Sequence, residues 1–177
     1  MINRTISFAA AACLLMLGGC GESGSPTLTA ADTASGDSPA WLLTSAPEGA
    51  TGVAALKTSA AEGDAVVLHG RIGGRKDPMS ADSATFIVMD PAIPSCADEE
   101  GDQCKTPWDY CCETPESITA NNATVQLVGA DGAPLAINLT RHGLSPLDEV
   151  IVVGTVAARP NPQTLVVKAT GLYRAGG

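Results

Sequence analysis

Residues 65–72 read AVVLHGRI, and at this stretch the pattern of the chain changes from helical to strand-forming. A second run of β-branched and aromatic residues, Ala84–Met89 (ATFIVM), follows after GGRKDPMSADS, a connection rich in turn-forming residues. The two runs predict an antiparallel pair of strands, and the rest of the folded part is organised around them.

Further strand-like runs lie downstream: Ala123–Val128 (ATVQLV), Leu135–Leu139 (LAINL), Glu149–Val156 (EVIVVGTV) and Thr164–Tyr173 (TLVVKATGLY). An Asp-Gly pair at 131–132 separates the first two of these runs and is a strong hairpin signal. Five to six strands with no long helix between them predict a small all-β domain. The side chains expected to point inward are Val67, Ile87, Val125, Val152 and Val166.

Two glycines lie inside predicted strands, Gly70 in VLHGRI and Gly154 in VIVVGTV, and a glycine in a strand marks a bend at a barrel corner. The strand that contains Gly154, Glu149–Val156, is preceded by the turn Leu144-Ser-Pro-Leu-Asp148. With these features, residues 64–174 resemble an OB-fold, the small five-stranded Greek-key barrel. The resemblance implies an antiparallel barrel, with residues 91–122 as a long cysteine-rich loop.

The composition narrows the range of functions. The chain has 177 residues, which suits one domain with tails, and few aromatic residues, which favours a core of Val, Leu, Ile and Ala. The formal net charge is -9, and Arg4 is the one charged residue before Glu22, so the part after Cys20 is more acidic still. An acidic surface repels a phosphate backbone, and nucleic acid is therefore not expected as a partner.

The N-terminus has the pattern of an export signal. Arg4 precedes an apolar run, Ile6–Leu17, that is too short to span a bilayer and has the length of a secretory hydrophobic segment. Residues 1–19 are therefore predicted to be a signal peptide. One alternative is an ordinary signal peptide that is followed by an incidental cysteine.

The signal ends in Leu17-Gly18-Gly19-Cys20, which resembles the lipobox of bacterial lipoproteins. The resemblance implies that Cys20 is acylated and becomes the N-terminus, attached to a membrane by its lipid chains. Gly21 follows it, so an aspartate that would retain the protein at the inner membrane is missing. The expected location is the periplasmic face of the outer membrane.

Two segments separate this anchor from the barrel. Residues 20–40 are rich in Gly, Ser, Thr, Ala and Asp, which predicts a flexible, disordered tether. Residues 41–63 form an N-terminal extension in which Pro47–Ala61 predicts a short helix. Its apolar face would carry Val53, Leu56 and Ala60.

The loop is unusual because Cys96–Cys112, CADEEGDQCKTPWDYCC, holds four of the six cysteines. In an exported chain such a set predicts two disulfides among Cys96, Cys104, Cys111 and Cys112. Pairing the neighbours would be strained, because adjacent Cα atoms lie about 3.8 Å apart and a relaxed disulfide needs at least about 4.4 Å. The two crossed pairings both remain open.

A metal site or a redox-active vicinal pair is the alternative use of these cysteines. Structural zinc sites prefer Cys-x2–4-Cys spacings, which this loop lacks, and redox catalysis more naturally uses Cys-x-x-Cys. No metal ligand set and no cofactor are therefore expected. The chain also carries no Ser-His-Asp, His-Glu-x-x-His or Gly-x-Ser-x-Gly pattern, so no catalytic residue is predicted.

The tip of the loop, Trp108, Asp109 and Tyr110, is a candidate interaction surface. The simpler interpretation is that the two rings pack over the disulfides as a local core. Pro107 favours an extended or turn conformation in which successive side chains alternate. On that basis Trp108 is expected to be buried, and Asp109 and Tyr110 are expected to turn outward.

With its GRIGG and TPWDYCC segments, residues 70–74 and 106–112, the chain resembles an uncharacterised family of bacterial lipoproteins, which implies no activity. The barrel also resembles the membrane-anchored haem chaperone of cytochrome c maturation, but no histidine follows His142, so the haem role does not carry over. Two hypotheses remain. The first is a non-enzymatic binding or structural module of the cell envelope, with an envelope protein as its partner. The second is an envelope factor that handles thiols or a metal.

Overall fold

The run that opens the strand pattern is also the strand that closes the barrel. In the computed structural model, which describes residues 38–157 and 159–176, this run pairs with three other strands. The strands are β1 (Thr51–Gly52), β2 (Ala65–Ile72), β3 (Thr85–Met89), β4 (Asn122–Leu127), β5 (Glu149–Val156) and β6 (Val166–Ala175). The helices are α1 (Val53–Ser59) and α2 (Pro115–Asn121).

The sheet has the order β1-β2-β3-β4-β6-β5, and pairing of β2 with β5 closes the last five of these strands into a barrel. The closing register runs antiparallel from Ala65 opposite Thr155 to Arg71 opposite Glu149. This confirms the small all-β, OB-like barrel. A ring with an odd number of strands cannot be antiparallel throughout, and the pair formed by β4 and β6 is accordingly parallel.

Two predicted strands, Ala65–Ile72 and Glu149–Val156, are confirmed at both ends. The predicted strand Leu135–Leu139 is wrong. The chain makes the expected turn, with Gly132 at φ 74°, but returns along β4 only through a single bridge between Val128 and Pro134. Proline has no N–H to extend a ladder, and the chain leaves the sheet for a 3₁₀ turn at Leu139–His142.

Which side chains of a strand point into the barrel is less predictable than where the strand lies in the sequence. Val125 and Val152 are fully buried, as expected. The other three expected inward residues, Val67, Ile87 and Val166, are only partly buried, and their neighbours Leu68, Phe86 and Val167 fill the core instead. Side chains alternate along a strand, so a shift of one residue inverts the face. Both faces of these strands carry β-branched residues. The sequence therefore lacks the alternation of polar and apolar residues that would show which face points inward.

The N-terminal extension packs on the barrel. Helix α1 buries Val53 and Leu56, and Ala60 follows at its end, which is the predicted apolar face. The helix begins at Val53, however, and is shorter than the predicted range of residues 47–61. The strand β1 lies parallel to β2, which was not predicted. The Asp90 carboxylate at the end of β3 accepts a hydrogen bond from the Ala54 N–H at 2.9 Å. This side chain therefore ties the first turn of α1 to the start of the cysteine-rich loop.

The mid-strand glycines lie where strands approach closely. The ladder between β5 and β6 shifts register between Val153 and Gly154. A Cβ atom at Gly154 would collide with the carbonyl oxygen of Lys168. Gly154 thus permits the bulge that bends this part of the barrel, as its position in the strand predicted.

None of the helices in residues 38–157 and 159–176 has the length and apolar composition that a bilayer crossing requires. The predicted signal peptide, the lipidation site Cys20 and most of the predicted tether lie outside the described residues.

Candidate functional site

The cysteine-rich loop joins β3 to β4 and has secondary structure of its own. It contains two short 3₁₀ turns, Cys96–Asp98 and Pro107–Asp109, and ends in α2. The Thr114 hydroxyl caps α2 by accepting a hydrogen bond from the Ser117 N–H at 3.1 Å. Local backbone pairing therefore organises a connection that would otherwise be long enough to be disordered.

The loop lies against the end of β2 through Trp108. The Trp108 carbonyl oxygen accepts a hydrogen bond from the Gly74 N–H at 2.8 Å, and its indole N–H donates to the Lys76 carbonyl at 2.9 Å. A Cβ atom at Gly73 would lie 2.6 Å from the Trp108 carbonyl oxygen. Gly73 therefore permits the close approach of the loop. The sequence suggested only a strand bend and turn for the glycines of GRIGG.

An ion-pair network joins the loop to the outer face of the barrel. The Arg71 guanidinium on β2 donates to Asp98 in the loop at 2.5 Å and to Glu149 on β5 at 3.0 Å. His69 lies 3.3 Å from the second oxygen of Glu149. The Arg71 hydrogen bond is the main cause that holds the pKa of Glu149 below its usual value. Arg71 thus links three separate elements.

Asp98 is held from its own turn as well. The Ser95 N–H and hydroxyl donate to its carboxylate at 2.8 and 2.9 Å. The Ser95 N–H lowers the pKa of Asp98 most, and the Ser95 hydroxyl and Arg71 lower it further. Part of the acidic run at 98–102 is therefore structural rather than a free cation site. Asp102, for example, accepts a hydrogen bond from the Cys104 N–H at 3.0 Å.

Tyr110 is placed opposite to expectation. Its ring is fully buried, while Trp108 is partly exposed. The expected alternation fails because the chain is not extended here: residues 107–109 form a 3₁₀ turn, and Tyr110 adopts the left-handed conformation with φ 60° and ψ 36°. Burial raises the pKa of Tyr110 to about 12. The candidate interaction surface is therefore reduced to Trp108 and Asp109.

The four cysteines converge, although they come from different turns of the loop. The sulfur atom of Cys111 lies 2.8 Å from that of Cys104 and 3.5 Å from that of Cys96. Both distances exceed the S–S bond length of about 2.05 Å, so the structure shows thiols in contact and no disulfide geometry. Cys96 is buried, Cys104 is partly exposed, and Cys111 and Cys112 are exposed.

The cluster has one sulfur that is favoured as a thiolate. Burial acts to raise the pKa of Cys96, but hydrogen bonds from the Cys112 N–H and from the neighbouring thiols outweigh it and lower that pKa. Hydrogen bonding to Cys104 raises the pKa of Cys111, and hydrogen bonding to Cys96 raises that of Cys112. These hydrogen bonds thus favour the thiolate form of Cys96.

The Asp109 carboxylate lies close to three of the four sulfur atoms. One oxygen of Asp109 and the sulfur atoms of Cys96, Cys104 and Cys111 all lie within 4.8 Å of one another. The Asp109 oxygens also accept hydrogen bonds from the Cys111 N–H and the Thr106 hydroxyl, which fix the carboxylate. Asp109 was predicted only as part of a candidate interaction surface. The two-residue spacing from Asp109 to Cys111 is the sequence signal that could have added Asp109 to the candidate metal ligands.

Comparison with known proteins gives no relative from which a function could be taken. No family model, no curated protein and no solved structure matches the chain. The resemblance to bacterial lipoproteins therefore stays a prediction from the sequence motifs.

Proposed function

We propose that the protein is a non-enzymatic binding or structural module of the bacterial cell envelope. A lipid on Cys20 would hold it at the outer membrane, residues 21–40 would form the tether, and the barrel would present the cysteine-rich loop to an envelope protein. The lipobox Leu17–Cys20 supports the anchor, and the ordered loop supports the binding role.

The observation that carries the binding role is the fixed position of Trp108. Its backbone carbonyl and its indole N–H are both hydrogen-bonded to the barrel, yet its ring remains partly exposed. A tryptophan held in one place loses little entropy on binding, and tryptophan is enriched among the residues that dominate protein interfaces. Glu99, Glu100 and Asp102 are exposed acids in the same loop, so a partner with a basic face fits best.

The proposal requires that the cysteines close the loop. Two crossed disulfides are the predicted covalent way to do so, and the short contact between Cys104 and Cys111 would favour that pair, with Cys96 joined to Cys112. The binding role does not depend on which kind of bond closes the loop.

Site-specific photocrosslinking in living cells tests the surface. A photoreactive phenylalanine analogue in place of the exposed Gln103 should yield a discrete crosslinked protein, and the same analogue in place of the exposed Lys168 on β6 is the matched control. Trp108→Ala in the Gln103 probe should remove most of the product. The same product from both positions, no product from position 103, or a product unchanged by Trp108→Ala would contradict the proposed surface.

Membrane fractionation tests the anchor. Cys20→Ser should release the protein from membranes, because the apolar run before it is too short to span a bilayer stably. A Cys20→Ser protein that stays wholly with the membranes would show that the lipid on Cys20 is not the anchor.

A second candidate function is the handling of thiols or a metal. The observation that favours it is the convergence of three sulfurs and one carboxylate in the loop. As a redox pair, Cys111 and Cys112 would have to be readily ionised, and their raised pKa values oppose that.

A further inference from the structure

We infer that Cys96, Cys104, Cys111 and Asp109 bind one zinc ion that closes the loop. Three sulfurs and one carboxylate oxygen, all within 4.8 Å of one another, make a four-ligand set. Tetrahedral zinc with Zn–S distances of about 2.3 Å separates its sulfur ligands by about 3.8 Å, so small side-chain rotations would suffice. The inference deepens the proposed function by naming what holds the loop in place.

The arrangement of the sulfurs favours a shared ion over two disulfides. Cys111 contacts both Cys96 and Cys104, whereas a sulfur atom in a disulfide has one partner. The wide spacing that disfavoured a metal in the sequence is bridged by the two 3₁₀ turns, which bring the cysteines together.

The neighbouring groups support the ligands as they do in structural metal sites. The Cys111 N–H and the Thr106 hydroxyl orient Asp109, and the Asp102 carboxylate fixes the backbone at Cys104. Cys112 itself lies outside the ligand group. Its neighbour Cys111 is exposed, which gives an ion a path to the site.

The ligand types indicate the ion. Thiolates select soft or borderline metals such as zinc, and four protein ligands leave no open position, which is the pattern of a structural rather than a catalytic site. Binding would release the remaining thiol protons as each sulfur bonds to the ion.

The test uses the full chain extracted in mild detergent. Elemental analysis should find one zinc per chain, and the intact mass should show four free thiols in the loop after the metal is removed by acid. After chelation and reduction, Co²⁺ should bind one to one with sulfur-to-cobalt charge-transfer absorption. A loop that has lost four hydrogens and holds no metal would overturn the inference, and so would a reduced protein that binds neither Zn²⁺ nor Co²⁺.

Variants identify the ligands. Asp109→Asn keeps the size of the side chain and should weaken Co²⁺ binding at least about tenfold. Cys104→Ser should abolish the three-sulfur spectrum. Glu100→Gln, which removes an exposed carboxylate outside the ligand group, is the matched control for Asp109→Asn and should leave affinity and spectrum unchanged. An equal loss in Glu100→Gln and Asp109→Asn, or no change in Asp109→Asn, would overturn the assignment. The crosslinking result with the Gln103 probe does not depend on these metal-binding results. It therefore tests the proposed binding role separately from the zinc site.

Discussion

Tyr110 combines a left-handed backbone with a fully buried ring, and its hydroxyl makes no hydrogen bond to another described residue. A non-glycine residue in this conformation costs about 1–3 kcal/mol, so packing of the ring must offset that cost. The sequence did not reveal this, because nothing in TPWDYCC marks which residue leaves the extended region. The nearby Arg71 guanidinium acts to lower the pKa of the Tyr110 hydroxyl, but the effect of burial is larger.

Two substitutions at Tyr110 should separate the ring from its hydroxyl. Tyr110→Ala should lower the free energy of unfolding by about 3–5 kcal/mol, since it leaves a cavity. Tyr110→Phe should leave stability unchanged or slightly raised, because it removes a buried polar group that lacks a partner. Chemical denaturation measures both. A Tyr110→Phe protein as unstable as Tyr110→Ala would mean that the hydroxyl is essential to the fold.

Lys57 should make stability depend on alkaline pH. Burial, and then the nearby Arg159 guanidinium, lower its pKa from 10.5 to about 8 in the folded protein. The charged amine therefore destabilises the fold at pH 7, and this effect disappears as the pH rises from about 8 to 10.5. Lys57→Met should be the more stable protein at pH 7, by no more than about 1 kcal/mol because the site is partly solvated. Denaturation at pH 7 and 9.5 should show that the difference in free energy of unfolding between the variant and the wild type is smaller at pH 9.5. A difference that is the same at both pH values would contradict the lowered pKa of Lys57.

At the scale of elements, the strand runs could be predicted but their faces could not. The strands β2 and β5 stand out as runs rich in aliphatic and β-branched residues, whereas the inward phase of Val67 or Ile87 depends on tertiary packing. The loop was identified from its length and cysteines. The docking of the loop on Gly73 was missed, because close approach of two backbones leaves no periodic signal in the sequence. The helix α2 was also missed.

Gly73 should be essential for the contact between the loop and β2. Gly73→Ala places a Cβ atom 2.6 Å from the Trp108 carbonyl oxygen, so the loop must shift. The expected loss of stability is about 1–3 kcal/mol, with a change in the fluorescence of Trp108. Gly129→Ala is the control, because its Cβ would meet side-chain atoms alone, of Asp131 at 3.1 Å and of Leu135 at 3.4 Å. Equal effects of the two substitutions, measured by denaturation, would show that the close approach is unimportant.

At the scale of the whole molecule, the barrel and its long loop have different sources of order. The barrel is closed by the antiparallel pairing of β2 with β5 and by a core of aliphatic side chains. The loop is held by Arg71, by the contacts of Trp108 and by the cysteine cluster. The all-β class, the barrel and the loop boundaries could be read from the sequence. The role of Asp109 in the cluster required the fold, which brings distant turns together.

The central claim is that closure by the cysteines fixes the loop on the barrel, and hydrogen exchange tests it most directly. The Gly74 N–H is the reporter, since it donates to the Trp108 carbonyl, and the amides of β2 that pair with β5 are the reference. In the native protein both should be protected. After chelation and thiol reduction, the Gly74 amide should exchange much faster while the β2 amides remain protected. Rapid exchange of Gly74 in the native protein, or protection that is unchanged once the cysteines are opened, would contradict the account.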